Sequence, residues 1–147
     1  MGPMRHVNDP AVIDRLMETP GTWAIVGLTR NEWRAAYSVA LTVRDAMGNR
    51  IIPVNLRAES VHGETGYARL ADIPAELGPI DVVDCFVNSQ RVGDIVDQAI
   101  AVGAKAVWLQ LGVIDEAAAE RALAAGLDVV MDRCPERELW RQKRKLA

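Results

Sequence analysis

Residues 22–40 read TWAIVGLTRNEWRAAYSVA, and the change of pattern inside them decides the fold. Trp23 to Val26 form an apolar run without alternation, as in a central strand covered on both faces. Gly27 ends it and a polar, basic turn follows. From there Ala36, Val39, Ala40, Val43 and Met47 make the stripe of an amphipathic helix that Gly48 is placed to stop. RIIPVN at 50–55 is a second apolar strand. Strand, glycine turn, helix and strand in this order form a βαβ unit, whose strands are parallel and whose crossover is right-handed.

The same alternation continues outward. IDVVDCFV (80–87), AVWLQLG (106–112) and LDVVM (127–131) read as further strands. Between them, Ser89 stands as a candidate cap for a helix carrying Val92, Ile95, Val96, Ala99 and Val102, closed by Gly103. An alanine-rich helix runs from Asp115 to Ala125 and ends at Gly126. Residues 1–20 hold an opening helix, with Asn8 and Asp9 as caps, Pro10 in its first turn and Val12, Ile13, Leu16 and Met17 at helical spacing. Residues 134–147 form a basic C-terminal helix, and 56–79, rich in glycine and proline, reads as loop with one short strand or helical turn. The expectation is an α/β chain, residues 1–147 as one domain, with a Rossmann-like, doubly wound sheet of about five mainly parallel strands and helices on both faces.

A net charge of −3, with half the residues hydrophobic and a quarter charged, gives no global attraction to nucleic acid or anionic lipid, so neither is expected as a partner. With no apolar run of membrane-spanning length and no signal-like N-terminus, a cytoplasmic protein is expected. Cys85 and Cys134 are far apart and His6 and His62 stand alone, so no metal site and no disulfide is expected. Neither histidine follows a strand, and both read as surface residues rather than general bases. Asp132 with Glu136 is the one candidate acid/base pair, but charges at a strand-to-helix junction usually cap or pair, so no catalytic residue is assigned. Cys134 reads first as a packing thiol, and the final RQKRK as a solvated helix end.

In doubly wound sheets ligands sit at the carboxyl ends of the strands, which directs attention to the loops. The first loop lacks GxGxxG, yet Gly27 permits a close backbone turn, Thr29 offers a hydroxyl, and the helix start offers free N–H groups to an anion, with Arg30 and Arg34 adding charge. The competing reading is a plain tight turn with solvated arginines. After the second strand stand Asn55 and Arg57 instead of the acid that accepts from NAD ribose. An arginine there suits a ribose bearing an extra phosphate, a feature of both NADP and coenzyme A.

AIVGLTRNEWRAAYSVA, IIPVN, ARLADIP, IDVVDCFV, KAVWLQLGV and AGLDVVMDRC, in this order, resemble the small bacterial CoA-binding domain proteins, single-domain relatives of the CoA-binding N-terminal domain of the succinyl-CoA synthetase alpha subunit. The resemblance spans roughly residues 15–138. It implies a protein that binds coenzyme A or an acyl-CoA, with the phosphates and ribose against Gly27, Leu28, Thr29 and Arg30, joined by Arg34. Asn55 and Arg57 would face the adenosine end, and Phe86, Val87, Gln110, Leu111 and Gly112 would lie where the third and fourth strands open onto the cofactor. Two positions depart from the family: Leu56 replaces a usual proline, and Val87 stands where arginine is general, leaving one positive charge fewer. The ligase activity of the synthetase needs a phosphorylated histidine from another domain and is not implied. An NADP-dependent oxidoreductase and a partner-binding scaffold with a vestigial nucleotide pocket stay open as other readings, as do a protein partner or a homodimer. Trp23, Trp108 and Trp140 read as packing groups, and Trp33 alone as a candidate for ligand or partner contact.

Overall fold

The computed structural model describes residues 5–146. Five strands, β1 (Thr22–Val26), β2 (Arg50–Val54), β3 (Val82–Cys85), β4 (Ala106–Leu109) and β5 (Asp128–Val130), form one sheet in the order β2-β1-β3-β4-β5. Every neighbouring pair is parallel, with Ile25 opposite Pro53 and Asp84 opposite Trp108. Pro53, which has no N–H to donate, sits on edge strand β2, where a proline is tolerated. The chain steps one way from β1 to β2 and returns past β1 to start β3, so strand order reverses between β1 and β3.

Strand side chains alternate between two cores. Trp23, Ile25, Ile51, Trp108 and Val130 pack with α1 (Pro10–Glu18) and α2 (Ala35–Leu41). The Trp23 and Trp108 rings lie 5.6 Å apart in that layer. Ala24, Val26, Val83, Val107 and Leu109 pack instead with α3 (Val92–Ala101) and α4 (Glu116–Ala124). α5 (Pro135–Leu146) returns to the α1 side, where Leu139 and Cys134 meet the core. Helices therefore cover both faces, as the apolar strands require.

Several local expectations change. The opening helix begins at Pro10, with residues 1–4 of the expected segment outside the described residues. Asp9 caps it by accepting from Ala11 N–H, whereas Asn8 clamps the end of β5, accepting from Met131 N–H at 2.8 Å and donating to its carbonyl at 2.8 Å. The second helix keeps its α form only to Leu41 and widens to a π turn over Thr42–Ala46. There the Thr42 hydroxyl donates to Glu136 at 2.6 Å, tying that turn to α5. Ser89 does not cap α3: Asn88 Oδ1 accepts from Arg91 N–H, and the Ser89 hydroxyl accepts from Ile114 N–H. The 56–79 segment holds two 3-10 turns, Leu70–Asp72 and Ala75–Leu77, and Tyr67 extends the sheet by bridging to Val54. Trp140 is 51% exposed, since α5 turns Pro135 and Glu138 inward and leaves this position outside. Trp33, at 97%, is the most exposed large apolar side chain among the described residues.

Candidate functional site

A cleft of about 600 Å³ opens at the strand-order reversal, above the carboxyl ends of β1, β2 and β3. Its floor is Val26 with Gly27, Val54 with Asn55, and Phe86 with Val87. Thr29, Arg30 and Arg34 come from the β1–α2 loop, and Arg57 with Glu59 from the loop after β2. A further wall is Ala68 and Arg69 together with Arg91, Asp94, Ile95 and Gln98 of the α3 region.

Gly27 makes the floor possible. Its φ is +95°, and a Cβ there would lie 2.3 Å from the Phe86 carbonyl oxygen. The turn after β1 therefore closes against the end of β3, which a side chain would forbid.

Of the residues singled out from sequence, Gly27, Thr29, Arg30, Arg34, Asn55, Arg57, Phe86 and Val87 meet on this cleft. Leu28 does not: it is fully buried and packs in the α1/α2 core, because the loop turns it under while its neighbours face outward. Gln110, Leu111 and Gly112 do not either, because the cleft lies between β1 and β3 and β4 is one strand further on. Gln110 is buried and donates to Asp84 Oδ1 at 2.8 Å; Gly112 N–H donates to Asp132 Oδ1 at 2.7 Å; Leu111 is solvent-exposed.

Asn55 shapes the wall by holding two loops together. Its Nδ2 donates to the carbonyls of Leu28 (2.9 Å) and Glu59 (3.0 Å), and its Oδ1 accepts from Glu59 N–H at 2.8 Å. Asn55→Ala removes all three and strands polar groups that are buried or partly so. Urea unfolding is expected to show a loss of about 2 kcal/mol, with faster hydrogen exchange at the Glu59 amide. Arg30 is also engaged, its Nε donating to the Ser60 carbonyl at 2.9 Å and its N–H to Glu59 at 3.3 Å.

Sequence reasoning missed Arg69 and Arg91. Arg91 stood in view just before a helix and four residues after Val87, whereas Arg69 lies in the loop whose path the sequence did not reveal.

Other titratable groups lie elsewhere. Asp84 faces the same side as Ile25 and Trp108, away from the cleft, and burial pushes its carboxyl up to about 7 against the lowering hydrogen bond from Gln110. Burial, with the nearby Asp84 charge, also pushes the Cys85 thiol well up, which disfavours the thiolate. Both cysteines are free, and Cys134 packs against the α1/α2/α5 core rather than lining the cleft. The histidines are not free surface groups. His6 Nε2 lies 2.9 Å from Asn8 Oδ1, and His62 Nε2 lies 2.7 Å from the Tyr37 carbonyl with its ring beside that tyrosine. Asp132 and Glu136 each accept a hydrogen bond, from Gly112 N–H and the Thr42 hydroxyl respectively, and neither lines the cleft. Among the described residues no three His, Cys, Asp or Glu side chains gather as metal ligands, and no helix is long and apolar enough to cross a membrane.

Residues 21–139 match the family described as CoA binding domain. The uncharacterized protein YneT of Bacillus subtilis is 30% identical over 124 residues, which are 84% of this chain and 89% of that protein. Among solved structures, a hypothetical protein from Pyrococcus horikoshii OT3 is 33% identical with a TM-score of 0.83, covering 96% of each chain. A protein from Thermus thermophilus is 29% identical with a TM-score of 0.74, covering 88% of this chain and 94% of its own. The family match takes in the whole sheet and both walls of the cleft, so this chain belongs to the CoA binding domain family.

Proposed function

We propose that the protein binds coenzyme A or an acyl-CoA in the cleft between β1 and β3 and serves as a binding module. The observation that carries this is five arginines, 30, 34, 57, 69 and 91, lining one cleft around a glycine turn. A chain of net charge −3 thus concentrates cations at the place where a parallel sheet presents its ligand. Gly27, Thr29 and the start of α2 supply a backbone cradle for a diphosphate, and Arg34 supplies charge beside it. Val54, Phe86, Val87 and Ile95 offer an apolar surface for adenine or the pantetheine arm. The acids on the cleft, Glu59 and Asp94, accept hydrogen bonds from Arg30 and Gln98, which favours holding a ligand over proton transfer to it.

Thermal unfolding with CoA, 3′-dephospho-CoA and NADP at matched millimolar concentration tests the reading. CoA at a hundred times its Kd is expected to add about 2.7 kcal/mol of stability, with a smaller gain from dephospho-CoA. Stabilisation by NADP alone would replace this reading with the oxidoreductase, and no shift with any of the three would leave the scaffold.

A further inference from the structure

We infer that Arg69 and Arg91 form the seat of the phosphate monoester on the ribose of CoA, and that Arg57 does not set that specificity. The inference rests on the CoA reading above.

The cleft has two cationic walls of different build. On the first, Arg30 is tied to Ser60, and each wall carries one carboxylate, Glu59 on the first and Asp94 on the second. The second joins segments distant in sequence, Arg69 just before the Leu70–Asp72 turn and Arg91 just before α3. They are held in place because Leu70 N–H donates to Gln98 Oε1 at 3.3 Å, and Gln98 shares the cleft face of α3 with Asp94 and Ile95. Neither guanidinium has a carboxylate within 4.0 Å among the described residues, a property Arg34 and Arg57 share, so the distinction of this wall is that Arg69 and Arg91 stand on it together.

Two guanidiniums that no carboxylate neutralises favour an anion on that wall. A phosphate monoester carries about −1.5 to −2 charge and three terminal oxygens, which suits two guanidinium forks. A bridging diphosphate carries its charge along a chain and is suited to the backbone N–H groups of the glycine loop. Asp94, whose carboxylate accepts from Gln98 Nε2 at 2.9 Å, stands on the same face as an acceptor for the neighbouring ribose hydroxyl.

Calorimetric titration of CoA and 3′-dephospho-CoA into the unsubstituted protein, Arg69→Gln/Arg91→Gln and Arg57→Gln tests this. The unsubstituted protein is expected to prefer CoA by about tenfold or more, as charged hydrogen bonds to one phosphate allow. In the double variant the preference should fall to within about threefold while affinity for dephospho-CoA is largely kept. Arg57→Gln should keep the preference. Equal melting temperatures of the unliganded proteins verify the fold. A preference that survives in the double variant, or is lost in Arg57→Gln, overturns the assignment. Binding of both nucleotides to the unsubstituted protein without preference overturns it too, but leaves the CoA reading standing. If neither nucleotide binds, both fail.

Discussion

Gly27→Ala is expected to lower the unfolding free energy by about 3–5 kcal/mol and to abolish nucleotide-induced stabilisation. Two costs add. At φ +95° an alanine is strained by itself, by about 1–2 kcal/mol. The larger cost is steric, since the new Cβ would stand 2.3 Å from the Phe86 carbonyl oxygen and 3.0 Å from its carbon. Backbone cannot rotate aside like a side chain, so the ends of β1 and β3 must spread. That breaks the ladder bond in which Phe86 N–H donates to the Val26 carbonyl at 2.8 Å, and it opens the floor of the cleft. Gly48→Ala is the control, because Gly48 also has a positive φ, +78°, but has nothing within 4 Å of a Cβ. It should cost only about 1 kcal/mol. Urea unfolding of both variants, with CoA added to each, separates strain from clash. Equal losses in the two would show that the close approach at Gly27 is easily relieved.

The parts of the site legible in the sequence were those governed by local rules. Strand Thr22–Val26 announced itself by its unbroken apolar run, Gly27 by its place at the end of that strand, and Arg30, Arg34, Asn55 and Arg57 by following strands. What stayed hidden depends on strand order. The segment from Asn55 to Asp81 has no long helix to signal a crossover, yet it carries the chain past β1. Without that order β4 reads as close to the site as β3, and nothing in the sequence argues against the placement of Gln110, Leu111 and Gly112 there that the resemblance implies. The same return path brings Arg69 to α3, a contact of high sequence separation that no window of residues contains. Leu28 stands off the cleft for a smaller reason: sequence spacing in an irregular loop does not fix which side chain turns inward. The π turn at Thr42–Ala46 was equally invisible, since the apolar stripe of Val39, Val43 and Met47 is compatible with a plain helix.

Asp84→Asn is expected to stabilise the protein at pH 8 and to leave it nearly unchanged at pH 4. The carboxyl is fully buried on β3, Oδ1 accepts from Gln110, and Oδ2 has no partner. Burial is the larger influence and raises its pKa from 3.8 to about 7. Because the folded value lies above the unfolded one, the native state binds the extra proton between about pH 4 and pH 7, and stability falls as pH rises through that window. Above pH 7 the folded protein carries a buried carboxylate that the unfolded chain would leave in water. At about 1.4 kcal/mol per tenfold in the ionisation constant, the full cost is on the order of 4 kcal/mol. Asparagine keeps the acceptor for Gln110 and never ionises. At pH 4 the two proteins are matched, since protonated Asp84 and an asparagine each place an unpartnered donor where Oδ2 stands. The gain at pH 8 should therefore approach that figure and shrink steadily toward pH 4 in urea unfolding curves of the two proteins. A difference that does not change with pH would mean that Asp84 is ionised, and held by something other than Gln110, throughout.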